Sequence, residues 1–188
     1  MKKLFLLILI TAFTVARSQG DYHLKQEKVD QIKTFVKNKN YSQRLAFFID
    51  FRIPSNYYRF FIVDLEQNKI LEKAIVSHGS GSEVKNSDEL VFSNTPDSYQ
   101  SSLGKYKIAE SYVGSFGKSY RLVGLDKSNS KAMQRAIVLH PYDCIGDKES
   151  AEPACLSLGC PMLSPKFFKV AAKYIDASQK PIILYAFY

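Results

Sequence analysis

Residues 45–77 read LAFFIDFRIPSNYYRFFIVDLEQNKILEKAIVS, and this stretch sets the fold class. Two runs, Leu45 to Phe51 and Tyr57 to Leu65, are dense in aromatic and β-branched residues, and Pro54-Ser55-Asn56 divides them. Glu66-Gln67-Asn68-Lys69 then reads as a hairpin turn into a third run, Ile70 to Ser77. Such side chains suit a pleated surface that is covered on at least one face. Three strands in succession point to a mainly β protein.

Outward from this stretch the pattern changes only at the edges. On the N-terminal side, Val29, Ile32, Phe35 and Val36 recur at helical steps, which predicts a helix over 24–37 ended by Asn38-Lys39-Asn40. On the C-terminal side come two loops, Gly79 to Ser82 and Ser93 to Ser98, then short strands near 103–110 and 119–125. A short helix near 130–135 leads into a strand from Ala136 to His140. A long loop, 141–163, precedes a second helix from Lys166 to Asp176, with Phe167, Val170, Ala171 and Tyr174 on one face, and a terminal strand from Pro181 to Tyr188. The expectation is a single β-sandwich-like domain with peripheral helices, residues 45–188, preceded by a helical segment over 19–44.

Length and composition agree with one packed domain. The chain has 188 residues, 46% of them hydrophobic and 25 of them Phe or Tyr, which excludes a disordered tail or a fibre. No apolar run approaches the ~20 residues that span a bilayer. Lys2 and Lys3 before the apolar run Leu4 to Ala16, then Ala16-Arg17-Ser18, have the order of a cleaved export signal over 1–18. Its loss removes Lys2, Lys3 and Arg17 and takes the net charge from +8 to +5. The remaining cations are interspersed with acids, so no nucleic-acid footprint is present. The expected location is the periplasm or cell envelope, with no membrane span after signal removal.

Three cysteines in an exported chain leave at least one unpaired within the chain: Cys144, Cys155 and Cys160. Two readings stay open from the residues alone. In one, two thiols close a disulfide; in the other, all three join His140 in a Cys3His zinc set. The context of Cys160 is distinctive, Ser157-Leu158-Gly159-Cys160-Pro161, and His140 ends a strand with sixteen residues between it and Ser157. A thiol of pKa near ~8.5 is little ionised at neutral pH, and an imidazole that takes its proton makes it a strong nucleophile.

The pattern His140, a gap of sixteen, then Ser157-x-Gly159-Cys160 resembles the catalytic signature of murein L,D-transpeptidases of the YkuD type. Further segments resemble the "L,D-transpeptidase catalytic domain-like" branch in the same order. They are Ile49-Asp50-Phe51 with Pro54-Ser55, residues 76–82, Phe92-Ser93-Asn94, Ser101-Ser102-Leu103-Gly104 and residues 121–125. The likeness covers roughly residues 45–187. Two positions depart from the wider family: Leu158 stands where it has His, and Met162 where it has Asn or Arg.

The resemblance implies a cysteine acyltransferase acting on peptidoglycan stem peptides and forming 3→3 cross-links through a thioester. Cys160 is the implied nucleophile and His140 the general base, with Ser157 and Gly159 lining the site. His78, Gly79, Ser101, Ser102 and Gly104 are the implied substrate groove. With Cys160 kept free for chemistry, Cys144 and Cys155 are expected to pair as a disulfide, with no metal and no cofactor. The expected protein is a monomer. An L,D-carboxypeptidase or another wall hydrolase would use the same Cys/His pair, and a non-catalytic wall-binding module would keep the groove alone.

Overall fold

The strand Leu45–Asp50 (β1) is buried on both faces, and that explains why its sequence runs apolar without alternation. One face, with Phe47 and Ile49, joins the main core. The other, with Ala46 and Phe48, lies under the helix Gln26–Val36 (α1), which presents Val29, Ile32 and Val36 to it. Those three positions recur along one helical stripe, so the predicted helix forms at the predicted place. Each buried side chain contributes roughly 1.5–3 kcal/mol. These elements belong to a computed structural model that describes residues 23–188. The export-signal reading of 1–18 lies outside the described residues.

The other strands are Phe60–Asp64 (β2), Lys69–Ala74 (β3), Gly104–Gly114 (β4), Gly117–Gly124 (β5), Val138–Pro141 (β6), Met162–Leu163 (β7) and Ile183–Phe187 (β8). They form one eight-stranded sheet in the order β3-β2-β1-β8-β4-β5-β6-β7. All neighbours are antiparallel except β1 with β8 and β6 with β7. The sheet curls around its own core. Phe47, Phe60 and Ile62 from one end pack in the same cluster as Tyr120, Leu122, Leu139 and Leu163 from the other. The helix Pro165–Ala177 (α2) plugs that cluster with Phe168, Ala171 and Ala172. Ser164 caps it by accepting the Phe167 N–H, and Pro165 starts it. The protein is therefore mainly β, sandwich-like, with helices at the periphery, as the sequence predicts. Among the described residues no helix is long and apolar enough to cross a membrane.

The two ends of the curled sheet meet. Residues just past β3 bond to the segment that leads into β7: Ser77 N–H donates to Met162 O and Ser157 N–H to His78 O. Ser80 N–H donates back to Ser157 O. The 157–162 segment thus lies between β6 and the continuation of β3, at the seam that closes the sheet.

Three sequence expectations shift. The strand predicted from Ala136 starts at Val138, because Ala136 has φ +53° and cannot join the ladder. The helix predicted near 130–135 is a 3-10 turn at Lys127–Asn129 followed by hydrogen-bonded turns. The long loop contains β7, too short to show a period.

Candidate active site

His140 sits in β6 opposite Met162, with Cys160 two residues before that partner. β6 is a short buried strand, so its imidazole has a rigid base and is 2% exposed. His140 Nδ1 lies 3.0 Å from the Pro141 carbonyl. A carbonyl can only accept, so Nδ1 carries the proton and Nε2 is left as an acceptor. Burial holds the His140 pKa below the ordinary histidine range, and the Pro141 bond opposes this in part.

Cys160 is the free cysteine of the described residues and is partly buried. Its Sγ is 3.7 Å from the Ala136 carbonyl, the nearest acceptor for the thiol proton. Burial pushes the thiol pKa up, while a hydrogen bond from Val138 and the charge of Arg135 pull it down. With the thiol raised and the imidazole lowered, the pair rests neutral. Among the described residues no hydrogen bond joins the two side chains. Such bonds often form only when substrate is bound.

The backbone around Cys160 is fixed by small groups. Gly159 has φ +114°, and a Cβ there would stand 2.9 Å from the Gln100 carbonyl, so glycine is required twice over. A Cβ on Gly79 would stand 2.1 Å from Tyr99 O and 2.9 Å from Gly159 Cα. The two loops can touch only through these glycines. Ser157 is held at three atoms: its N–H donates to His78 O, its carbonyl accepts from Ser80, and its hydroxyl accepts the Gly159 N–H at 3.0 Å. It shapes the turn. The Gly159 amide is therefore spent, and the Cys160 N–H is without a protein acceptor among the described residues.

The predicted groove residues divide. Ser101 is buried and clamps both loops, accepting Gly79 N–H at 3.0 Å and donating to Gly159 O at 3.4 Å. Ser102 shares its hydroxyl with Tyr106, 2.9 Å away, and Arg135, 3.1 Å away. Gly104 starts β4 with φ +121° and packs on Asp126, Ser128 and Asn129. His78 is 5% exposed, and its Nδ1 is 2.9 Å from Nη2 of Arg59. The guanidinium donates, so His78 Nδ1 accepts and Nε2 carries the proton. That Nε2 is buried with no hydrogen-bond partner among the described residues, and the Glu83 carboxylate stops 3.7 Å away. Burial and the Arg59 charge lower the His78 pKa to about 4.

Cys144 and Cys155 form a disulfide with Cα atoms 6.1 Å apart, which takes two of the three thiols a zinc set would need. The loop it closes is tied to 55–58 by Glu149, Ser150 and Ala154. Met162, at the departed family position, is a buried apolar side chain. Polar work at that spot is done by Ser77, which donates to Cys160 O at 3.1 Å and accepts Met162 N–H at 2.8 Å.

Four residues around the site carry little mark of it in the sequence: Ser77, Arg59, Arg135 and Phe116. Arg59 is fully buried and donates to Val76 O and Ile53 O, so a cation set among aromatic residues in a strand run is the available signal. Arg135 binds the carbonyls of Ser93 and Gln100 and brings a positive charge beside Cys160. Phe116 stacks on His140 from a hairpin tip that reads as an ordinary turn.

The family described as "L,D-transpeptidase catalytic domain" matches residues 14–187. Solved structures similar to this chain include an L,D-transpeptidase from Mycobacterium smegmatis, 13% identical, covering 77% of this chain and 59% of that one, TM-score 0.45. An L,D-transpeptidase from Stackebrandtia nassauensis is 14% identical, with 86% and 63% covered and a TM-score of 0.46. The helical cell shape determining protein from Campylobacter jejuni is 12% identical, with 84% and 53% covered and a TM-score of 0.47. The chain thus spans between 53% and 63% of these three structures. No curated protein matches it.

Proposed function

The chain belongs to the L,D-transpeptidase catalytic domain family, and from that premise we propose that it is an exported cysteine acyltransferase acting on peptidoglycan stem peptides. One observation carries the assignment of roles. The free thiol of Cys160 and the acceptor Nε2 of His140 belong to neighbouring segments, and the Pro141 carbonyl fixes the required tautomer.

The chemistry follows from that pair. Sγ of Cys160 attacks the carbonyl of the third stem residue, a diamino acid, as its proton passes to His140 Nε2. The carbonyl oxygen becomes an oxyanion, for which the Cys160 N–H is the open backbone donor. The C–N bond to the terminal D-alanine breaks, and His140 returns the proton to the leaving amine. An amine of a neighbouring stem then attacks the thioester, loses a proton to His140, and leaves as the 3→3 product with the thiol restored. Because the pair rests neutral, His140 acts as a general base in the attack rather than holding a preformed thiolate. Arg135 and the Val138 hydrogen bond favour the negative sulfur as it develops.

A carbapenem tests the site, since its strained carbonyl needs only a nucleophile. One covalent addition on Cys160 is expected, and Cys160→Ala should give none. An adduct on another residue would remove the assignment and favour a wall-binding module.

A further inference from the structure

The β4–β5 hairpin ends in Gly114-Ser115-Phe116-Gly117 and carries its pairing to Gly114↔Gly117. The tip buries little of itself: Val113 is 84% exposed and Phe116 45%. Yet one face of the Phe116 ring lies on the His140 imidazole, with centroids 4.1 Å apart and planes 23° apart. Tyr142 meets Phe116 edge-on at 5.8 Å and His140 at 6.3 Å. Phe116 and Tyr142 make an aromatic bracket around the imidazole, built from a hairpin and a strand end that are distant in sequence.

We infer that Phe116 is a positioning residue that acts through His140, holding the imidazole plane and closing its outer face to water so that Nε2 is offered in one orientation. The inference rests on the reading of His140 as general base. A single hydrogen bond, Nδ1–H to Pro141 O, does not by itself stop the ring from tilting or flipping. A flip about Cβ–Cγ must sweep a ring edge through the space that Phe116 fills. The same ring removes water from the imidazole, which disfavours its cation.

Charges around His140 do not account for its state. The ionisable groups on neighbouring elements are Tyr142 on its own strand end, Cys160 and Arg135 beside the seam, and Lys118, Tyr120 and Arg121 on β5. Lys118 and Tyr120 are engaged by Asp176, and Arg121 by Glu110 at 3.5 Å. The α2 charges Lys166, Lys169, Lys173 and Asp176 are exposed. The causes acting on His140 are burial and the Pro141 bond alone. Removing Phe116 therefore changes solvation and orientation and leaves charge untouched.

The test uses the full chain and five proteins: wild type, Phe116→Ala, Phe116→Tyr, His140→Ala, and Val113→Ala as a hairpin control. Two quantities are read against pH, the His140 ring resonance by NMR and the rate of Cys160 alkylation by iodoacetamide. Phe116→Ala should raise the His140 midpoint by about one pH unit. It should move the acid limb of alkylation up with it and slow the neutral rate roughly tenfold. Phe116→Tyr should restore both, and Val113→Ala should change neither. A profile that depends on His140 but not on Phe116, or a loss that Phe116→Tyr fails to restore, would overturn the inference alone. An alkylation profile unchanged in His140→Ala would overturn the general-base reading and the inference with it.

Discussion

Two buried histidines flank the 157–162 segment, and they are opposites. His78 lies past β3 against the Arg59 guanidinium, which donates to its Nδ1 and leaves Nε2 as a donor. His140 lies in β6 against the Pro141 carbonyl, which accepts from its Nδ1 and leaves Nε2 as an acceptor. Both are held neutral by burial, so neither burial nor charge state distinguishes them. The group at Nδ1 does. A histidine backed by a carbonyl can take a proton from a thiol, and one backed by a cation cannot do so at modest cost.

The sharpest way to break this contrast is to remove each ring in turn. His140→Ala should slow acylation of Cys160 by about 10²–10⁴-fold, and raising the pH should recover part of the rate. His78→Ala should leave acylation within about tenfold of wild type. Stopped-flow or mass-resolved acylation by a carbapenem measures both, and equal losses would erase the distinction.

The state of His78 is also tested by acid stability. The folded-state pKa of His78, about 4, is below the ordinary 6.5. Between those values the unfolded chain binds a proton that the native chain refuses. Stability is therefore full above pH 6.5 and falls as pH drops toward 4, by about 3 kcal/mol for this group. His140 contributes in the same direction. Urea unfolding at pH 7 and pH 4 should show the loss, and His78→Gln should remove most of it. A His78→Gln protein with the wild-type pH dependence would contradict the assignment.

Arg59 sharpens the point further. Arg59→Met removes both the donor at Nδ1 and the positive charge. The His78 midpoint should rise from about 4 by one pH unit or more, read by NMR. A midpoint that stays put would mean that burial alone sets it. The smallest effect is expected at Leu158, which is 68% exposed, so Leu158→Ala should change stability by no more than about 0.5 kcal/mol.

The sequence made the strands legible where burial on both faces left unbroken apolar runs, as in 45–50 and 60–64. It made the candidate nucleophile and base legible through their spacing and the odd thiol. It left illegible what depends on closure of the sheet. Ser77 bonds Cys160 and Met162, more than eighty residues away in the chain, and a serine at the end of a strand has no local mark of that task. Nothing local makes Phe116 a cover for His140, because the hairpin tip and β6 meet only in three dimensions. The Ser157 hydroxyl, read as site lining, is committed to the Gly159 amide, a turn bond that residue type alone does not choose.

The central claim, that Cys160 carries acyl transfer with His140 as its base, is tested most directly on the proposed class of substrate. Purified tetrapeptide muropeptides are incubated with wild type and Cys160→Ala, and products and protein are weighed by mass spectrometry. The account predicts release of D-alanine, a transient stem-peptide adduct on Cys160, and 3→3 linked product, all absent from Cys160→Ala. Turnover that persists unchanged in Cys160→Ala would contradict it.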